Sequence, residues 1–252
     1  MLFTILERKK KKMKLIVCKD YDTMSEKAAL IIAGVVSLKP DCTLGLATGS
    51  TPVGMYKRLV GMYEAGELDF SSVSSYNLDE YYPIKPTDPQ SYRYFMNQKL
   101  FDHINIDKAN THLMNGEAAD PEKECAEYDK AVEAAGIDIQ VLGIGRNGHI
   151  GFNEPADRLN SATHLTALSE STIKANSRFF SSPEEVPHHA LTMGLGAIMK
   201  SKRILILISG REKHDALTAM LSGMIDTHVP ATMLNMHPDV TVICDEAAYK
   251  ER

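Results

Sequence analysis

The sequence predicts a single α/β domain with a doubly wound, mostly parallel sheet and helices on both faces. Short apolar runs alternate with helical patterns along the 252 residues, and this alternation is typical of βαβ units that build a parallel sheet. No Pro/Gly/Ser-rich linker and no internal repeat divides the chain, whose length suits one large α/β domain. We therefore expect one α/β domain over residues 13–252.

The predicted strands are short runs that are mostly apolar on both faces, as buried parallel strands are. They cover residues 15–18, 43–47, 73–78, 139–144, 163–168, 203–209 and 240–244. In such sheets ligands bind at the carboxyl ends of the strands. The loops that directly follow strands are therefore where we expect the chemistry.

Several predicted helices have recognisable end signals. Thr23 and Glu26 form a capping box for the first helix, and Thr51 is the expected N-cap of the second, with Pro52 at its first position. A further helix begins at the Asp-Pro pair 120–121 and ends at a glycine, residue 136. Helical spacing also predicts helices over residues 91–103, 187–200 and 212–223.

Composition excludes several classes of protein. The net charge of −5 argues against a nucleic-acid partner, because phosphate neutralisation needs a basic surface. The longest aliphatic run, 204–208, is far shorter than the roughly 20 residues of a membrane span, so we expect no membrane partner. The four cysteines are far apart and form no CxxC pair, which is typical of a reduced, cytoplasmic protein without structural zinc or disulfides.

The first twelve residues form a separate feature of the chain. They end in the basic run 8–12, and no apolar segment of adequate length follows, so a secretory signal is excluded. We expect residues 1–12 to be a disordered extension upstream of a natural start at Met13. A functional basic arm is the alternative.

The first loop of chemical interest is Thr48-Gly49-Ser50-Thr51, between a predicted strand and a helix. Glycine lets the backbone approach a ligand closely, hydroxyl groups can form hydrogen bonds, and a helix N-terminus favours anions. The loop lacks the Gly-Lys-Ser/Thr of a Walker sequence. It predicts a phosphate site, and a capped turn without a ligand is the alternative.

The second loop carries two adjacent carboxylates, Asp79 and Glu80, at the end of a predicted strand. A general base would be placed there, and the neighbouring aromatic residues could restrict water. Adjacent side chains tend to diverge, so we expect one carboxylate to face the site. Taken alone, the pattern favours the alternative, a solvated acidic turn.

The third loop, 143–155, is the most informative segment. Its formal GxGxxG match is not a dinucleotide site, because Gly151 and Pro155 interrupt the helix that such a site requires. What remains is a glycine-rich frame around His149, with Asn147 before it and Glu154 after it. A histidine held by a carboxylate can transfer protons near neutral pH.

Two cations could bind a phosphate held by the first loop. Arg178 lies in the segment ANSRFF, and Lys213 follows the strand predicted over 203–209. For each residue considered alone, solvation at the surface is the more common outcome. No group of side chains shows metal-ligand spacing, so we expect no metal site.

Together these loops closely resemble the NagB family of glucosamine-6-phosphate deaminases. The matching segments, in family order, are LGLATGSTP (44–52), NLDEYY (77–82), GIGRNGHIGFNEP (143–155), ANSRFF (175–180) and ISGREK (208–213). The resemblance spans nearly the whole chain from Met13, and GHIGFNEP is its most specific segment. It implies a Rossmann-like fold and the conversion of D-glucosamine 6-phosphate and water to D-fructose 6-phosphate and ammonia, in amino-sugar catabolism and without a cofactor.

The resemblance also implies roles for individual residues. Asp79 would move the C2 proton to C1, and His149 would open the pyranose ring with the help of Asn147 and Glu154. The phosphate would be held by Thr48, Gly49, Ser50 and Thr51 and clamped by Arg178 and Lys213. Many members have Asp at the position of Asn147, and an amide cannot share the His149 proton.

Other features separate this chain from some members and leave two other functions to consider. Members activated by an acetylated sugar phosphate bind it with basic residues after Asn-Glu-Pro, where this chain offers His164 and Thr166. We therefore expect no such activation and a monomer or small homo-oligomer.

Two other functions are the alternatives. In a 6-phosphogluconolactonase, Asp79 would have no catalytic role. A sugar-phosphate sensor of this fold would not need both Asp79 and His149, and it would carry a DNA-binding segment.

Overall fold

The computed structural model describes residues 13–169, 173, 182 and 186–250. The expectation for residues 1–12 and the candidate ligand Arg178 lie outside these residues. The strands are β1 (Lys14–Cys18), β2 (Thr43–Leu46), β3 (Ser74–Asn77), β4 (Asp79–Tyr82), β5 (Thr111–His112), β6 (Ile139–Leu142), β7 (His164–Ala167), β8 (His189–Thr192), β9 (Ile204–Ile208) and β10 (Val240–Asp245). The helices are α1 (Tyr21–Leu38), α2 (Val53–Glu64), α3 (Tyr92–Lys99), α4 (Pro121–Ala135), α5 (Leu195–Met199), α6 (His214–Leu221) and α7 (Glu246–Tyr249).

Seven strands form one sheet in the order β1-β10-β9-β6-β2-β3-β5, and all of its recorded pairs are parallel. Its central strands are mostly apolar, and every residue of β9 is a buried Ile or Leu. The predicted α/β class with a mostly parallel sheet is therefore confirmed. Among the described helices, none is long and apolar enough to cross a membrane.

A second, three-stranded antiparallel sheet was not predicted. Its order is β4-β8-β7, with Asp79 opposite Thr192 and His164 opposite the same threonine. The strand predicted over 163–168 therefore exists as β7, but in this small sheet. The helix predicted over 187–200 is wrong in its first half, because β8 pairs on both sides and buries Ala190 and Leu191. Tertiary pairing has overridden a local helical pattern.

Two predicted helix starts also need correction. The side chain of Asp20, not Thr23, caps α1, because it accepts a hydrogen bond from the Thr23 N–H at 2.8 Å. Helix α2 begins at Val53 with Pro52 in the cap position, and no side chain caps it there. The predicted signals at Asp120 and Gly136 are confirmed at the two ends of α4. The four cysteines are buried free thiols.

Asp138 joins the amino-terminal ends of β2 and β6. Its buried carboxylate accepts hydrogen bonds from Lys39 Nζ at 2.7 Å, Lys202 Nζ at 2.8 Å and the Thr43 N–H at 2.9 Å. Burial alone would raise its pKa, but these hydrogen bonds and the two charges outweigh burial and lower the pKa to about 2. The anionic form is therefore favoured in the folded chain.

We expect Asp138→Asn to lower the free energy of unfolding by about 1–2 kcal/mol, a value reduced for solvent screening of the two exposed lysines. Because the folded pKa is depressed, this stability is present above pH 3.8 and is lost as the pH falls toward about 2. Urea denaturation of wild type and variant between neutral and acidic pH measures both effects. Asp239→Asn, which removes a surface pair with Lys14, is the control and should change stability by less than about 0.5 kcal/mol. Equal losses in the two variants would contradict the prediction.

Candidate active site

The strand order brings the predicted loops to one edge of the sheet. Strands β9, β6, β2 and β3 are neighbours and parallel, so their carboxyl ends meet at the same edge. The segments that leave these ends contain Lys213, the 143–155 loop, the Thr48–Thr51 segment and Asp79, respectively. Four of the predicted site segments therefore meet at this edge, because each one directly follows its strand.

The segment from Thr48 to Thr51 has an exposed backbone suited to an anion. Gly49 has a φ of +86°, which a side-chain-bearing residue rarely adopts. The Tyr21 hydroxyl fixes the turn by donating to the Ser50 carbonyl at 3.1 Å. Within the described residues, no protein group accepts a hydrogen bond from the backbone N–H of Gly49, Ser50 or Thr51. These donors can therefore bind phosphate oxygens.

Asp79 is buried at the start of β4, with 6% of its surface exposed. The backbone of Gly151 lies against it, because a Cβ atom built on Gly151 would be 3.5 Å from Asp79 Oδ2. Burial, followed by the charge of Glu80, raises the pKa of Asp79 above the ordinary carboxyl range. The alternative of a solvated acidic turn is thus wrong: both carboxylates are buried, and β4 is a strand.

His149 sits in a tight turn that closes on itself, since the Gly145 N–H donates to the His149 carbonyl at 2.8 Å. Its Nδ1 is 3.4 Å from Glu154 Oε1, a long contact for a hydrogen bond. The second oxygen of Glu154 accepts from Asn147 Nδ2 at 2.7 Å, and Asn147 Oδ1 accepts from the His149 N–H at 3.2 Å. Asn147, His149 and Glu154 thus form the connected group that the sequence predicts.

The segment after His149 is fastened to the second sheet. The Phe152 N–H donates to Thr192 Oγ1 at 3.0 Å, and Asn153 Nδ2 donates to the carbonyls of Ile150 and Met193, each at 2.9 Å. Because Thr192 is paired with Asp79, this attachment fixes the distance between the His149 turn and Asp79. No helix follows the glycines in this described segment.

Of the two predicted cations, Lys213 can be placed. It ends a 3-10 helix, Arg211–Lys213, and its Nζ donates to the Ile144 carbonyl at 2.8 Å. The ammonium group therefore lies at the base of the His149 loop and not in bulk solvent. In the part of the chain that the structure describes, no cluster of His, Cys, Asp or Glu could hold a metal ion.

Several residues around the site were not expected from the sequence. Tyr92 is the first residue of α3, and its hydroxyl group lies beside the side chains of Thr48 and Tyr81. Its ring is stacked on that of Phe152, with the ring centroids 6.1 Å apart. Glu80 holds the first turn of this helix. Thr192 lies 40 residues from Phe152 in sequence, and no local pattern indicates that contact. Only the second sheet brings it there.

Comparisons with known proteins agree with this arrangement. A family model described as glucosamine-6-phosphate isomerases/6-phosphogluconolactonase matches residues 21–243. A glucosamine-6-phosphate deaminase of Clostridium beijerinckii is 58% identical over 235 residues, which is 93% of this chain and 97% of the relative. A solved structure described as a monomeric glucosamine-6-phosphate deaminase has a TM-score of 0.92 at 46% identity, covering 94% of this chain and 98% of its own.

More distant structures share only the fold. A 6-phosphogluconolactonase from Thermotoga maritima has a TM-score of 0.72 at 23% identity and covers 93% of this chain and 99% of its own. The family model covers most of the chain and the fold is shared along nearly its full length. The chain therefore belongs to the family of glucosamine-6-phosphate isomerases and 6-phosphogluconolactonases.

Proposed function

We propose that this chain is a glucosamine-6-phosphate deaminase that converts D-glucosamine 6-phosphate and water to D-fructose 6-phosphate and ammonia. The observation that carries the proposal is the buried carboxylate of Asp79, which faces the His149 loop. Hydrolysis of a lactone needs an activated water but no base for a carbon-bound proton. Two relatives that are named glucosamine-6-phosphate deaminase support the same reaction; they are 58% and 54% identical to this chain over almost its full length.

Asp79 is the base of the isomerisation. It takes the proton from C2 of the open-chain sugar and returns it at C1, and the resulting imine at C2 is hydrolysed to the ketose and ammonia. A raised pKa makes the ionised carboxylate a stronger base, which suits abstraction of a weakly acidic carbon-bound proton.

His149 carries the ring opening. It exchanges a proton with the ring oxygen and the anomeric hydroxyl group, and Glu154 stabilises the charged imidazole through the Nδ1 contact. Asn147 orients Glu154 and the His149 backbone. Because its amide does not titrate, the His149–Glu154 pair carries the proton transfer of ring opening.

The phosphate group anchors the substrate by its far end. Thr48, Gly49, Ser50 and Thr51 supply backbone and hydroxyl donors, and Lys213 and Arg178 supply positive charge. Anchoring of this kind orients the reacting carbons over Asp79, a contribution to catalysis of several kcal/mol.

Incubation of the purified chain with glucosamine 6-phosphate tests the proposal, with 6-phosphogluconolactone in parallel. We expect ammonia and fructose 6-phosphate in equal amounts, and no enzymatic hydrolysis of the lactone. Hydrolysis of the lactone without ammonia release would instead identify the chain as a 6-phosphogluconolactonase, the second activity of the family. Saturable binding of the sugar phosphate without turnover would indicate a sensor.

We further propose that the protein is cytoplasmic and works as a monomer or small homo-oligomer. Its four buried free thiols suit a reducing compartment. One similar protein of known structure is described as monomeric. Light scattering coupled to size exclusion tests the size, and a hyperbolic rate curve unchanged by the acetylated sugar phosphate is the expected kinetic result.

A further inference from the structure

Glu80 is a buried carboxylate for which the proposed reaction has no role. Only 2% of the residue is exposed. One oxygen accepts hydrogen bonds from the N–H groups of Tyr81 at 3.0 Å and Tyr92 at 2.8 Å, and the other accepts from the Arg93 N–H at 3.0 Å. Strand β4 therefore supplies a second cap to α3, in addition to its ordinary N-cap, Ser91, which accepts from the Tyr94 N–H.

This second cap places Tyr92 at the junction of the three site loops. The Tyr92 hydroxyl group lies beside the side chain of Thr48 in the phosphate segment and that of Tyr81 on β4. Its ring is parallel to that of Phe152, which follows the His149 turn. Since Glu80 binds the backbone of Tyr92 directly, movement of the Glu80 carboxylate would move all three contacts.

Glu80 is also the charged neighbour of Asp79. Among the described residues, the titratable groups that act electrostatically on Asp79 are Glu80 on β4, Tyr92 on α3 and Tyr128 on α4. Across from it, the segment at Gly151 contributes backbone without a titratable group. Arg93 acts on Glu80, while its guanidinium is held by Thr111. Burial raises the pKa of Glu80 as well, to about 7. Above that pH, a negative charge on Glu80 disfavours a second one on Asp79.

We propose that Glu80 is a positioning residue for the isomerisation. Its carboxylate fixes Tyr92 against the phosphate segment and places a second negative charge beside the base. This assignment rests on the proposed function, in which Asp79 is that base. The Glu80 side chain then has two tasks. Its length determines how well the sugar phosphate is held, and its charge determines the basicity of Asp79.

Two substitutions separate these tasks. Glu80→Gln removes the charge and also one acceptor, because an amide nitrogen replaces one of the two oxygens that accept from the N–H groups of Tyr92 and Arg93. We expect a lower Tm and an acidic limb of the kcat/KM profile that moves about one unit to lower pH, because Asp79 ionises more easily. Glu80→Asp keeps the charge but shortens the side chain, so the pH profile should stay and KM for glucosamine 6-phosphate should rise about three- to tenfold. Ser91→Ala weakens the same helix end without a change of charge and should lower Tm only.

The three variants and one direct titration test whether Glu80 is a positioning residue or only a helix cap. If Glu80→Gln and Ser91→Ala both lower Tm and leave the pH profile of the wild type unchanged, Glu80 is only a helix cap and the proposal is overturned. NMR titration of isotope-labelled aspartate, with Asp79 assigned by the signal lost in Asp79→Asn, needs no turnover. It should show Asp79 ionising at lower pH in Glu80→Gln. A chain that releases no ammonia would refute the proposed function, while this titration would still test the charge of Glu80.

Discussion

Asp79→Asn is expected to lower kcat for ammonia release about 10³-fold, with KM for glucosamine 6-phosphate changed little. The amide cannot accept the C2 proton, and loss of a positioned general base has an effect of this order. The phosphate segment and Lys213 do not depend on the carboxylate, so substrate binding should persist. Steady-state assays of ammonia measure both constants. Asp41→Asn, at an exposed position, is the matched control and should keep wild-type rates.

The same substitution should make the protein more stable. Burial raises the pKa of Asp79, so the folded chain binds a proton more tightly than the unfolded chain does. This contribution is fully present below the unfolded pKa and is lost as the pH rises. Asp79→Asn should therefore unfold at a higher temperature than the wild type at mildly alkaline pH, a trade of stability for activity that is common at active sites. Wild-type turnover in this variant would refute the assignment of Asp79 as base.

Gly145→Ala is expected to lower kcat/KM about 10- to 100-fold through His149. A Cβ atom on Gly145 would lie 2.4 Å from Cε1 and Nδ1 of the His149 ring, so the ring must leave its present position beside Glu154. Loss of proper acid–base geometry explains a decrease of this size. The φ angle of Gly145 is not positive, and backbone strain therefore does not contribute.

Gly143→Ala, two residues earlier in the same loop, is the control. Among the described residues, no atom apart from those of its chain neighbours lies within 4 Å of a Cβ built there, and we expect near-wild-type kinetics and Tm. An open-chain amino-polyol phosphate should bind Gly145→Ala as well as it binds the wild type, because ring opening is not required of it. Equal activity of the two alanine variants would mean that the position of the His149 ring does not limit the reaction.

Local sequence was sufficient for six of the seven strands of the large sheet, all but the two-residue β5, and for most of the segments that carry the candidate site. The runs at 43–47, 139–144, 203–209 and 240–244 are strands because they are apolar on both faces, and only a buried parallel sheet accepts such faces. The segments that leave three of them carry Thr48, His149 and Lys213. Their convergence then follows from strand order, since parallel strands end at one edge.

The second sheet could not be predicted in this way. Residues 189–192 lie in a helical pattern, yet they form β8 because β4 and β7 pair with them on both sides. The burial of Asp79 and Glu80 depends on the same pairing. Two adjacent carboxylates favour a solvated turn in any local interpretation. In the interior, Glu80 accepts hydrogen bonds from Tyr92 and Arg93, 12 and 13 residues away, in addition to the one from its neighbour Tyr81.

The sequence by itself determined the fold class, the order of the large sheet's strands along the chain, and the residue types at the edge where substrate is expected. Tertiary structure alone decided the electrostatics of Asp79. Whether a carboxylate is solvated or buried depends on which distant segments cover it, and this sets its pKa. In this protein β8, the start of α3 and the turn at Gly151 cover Asp79, and none of these contacts is local in sequence.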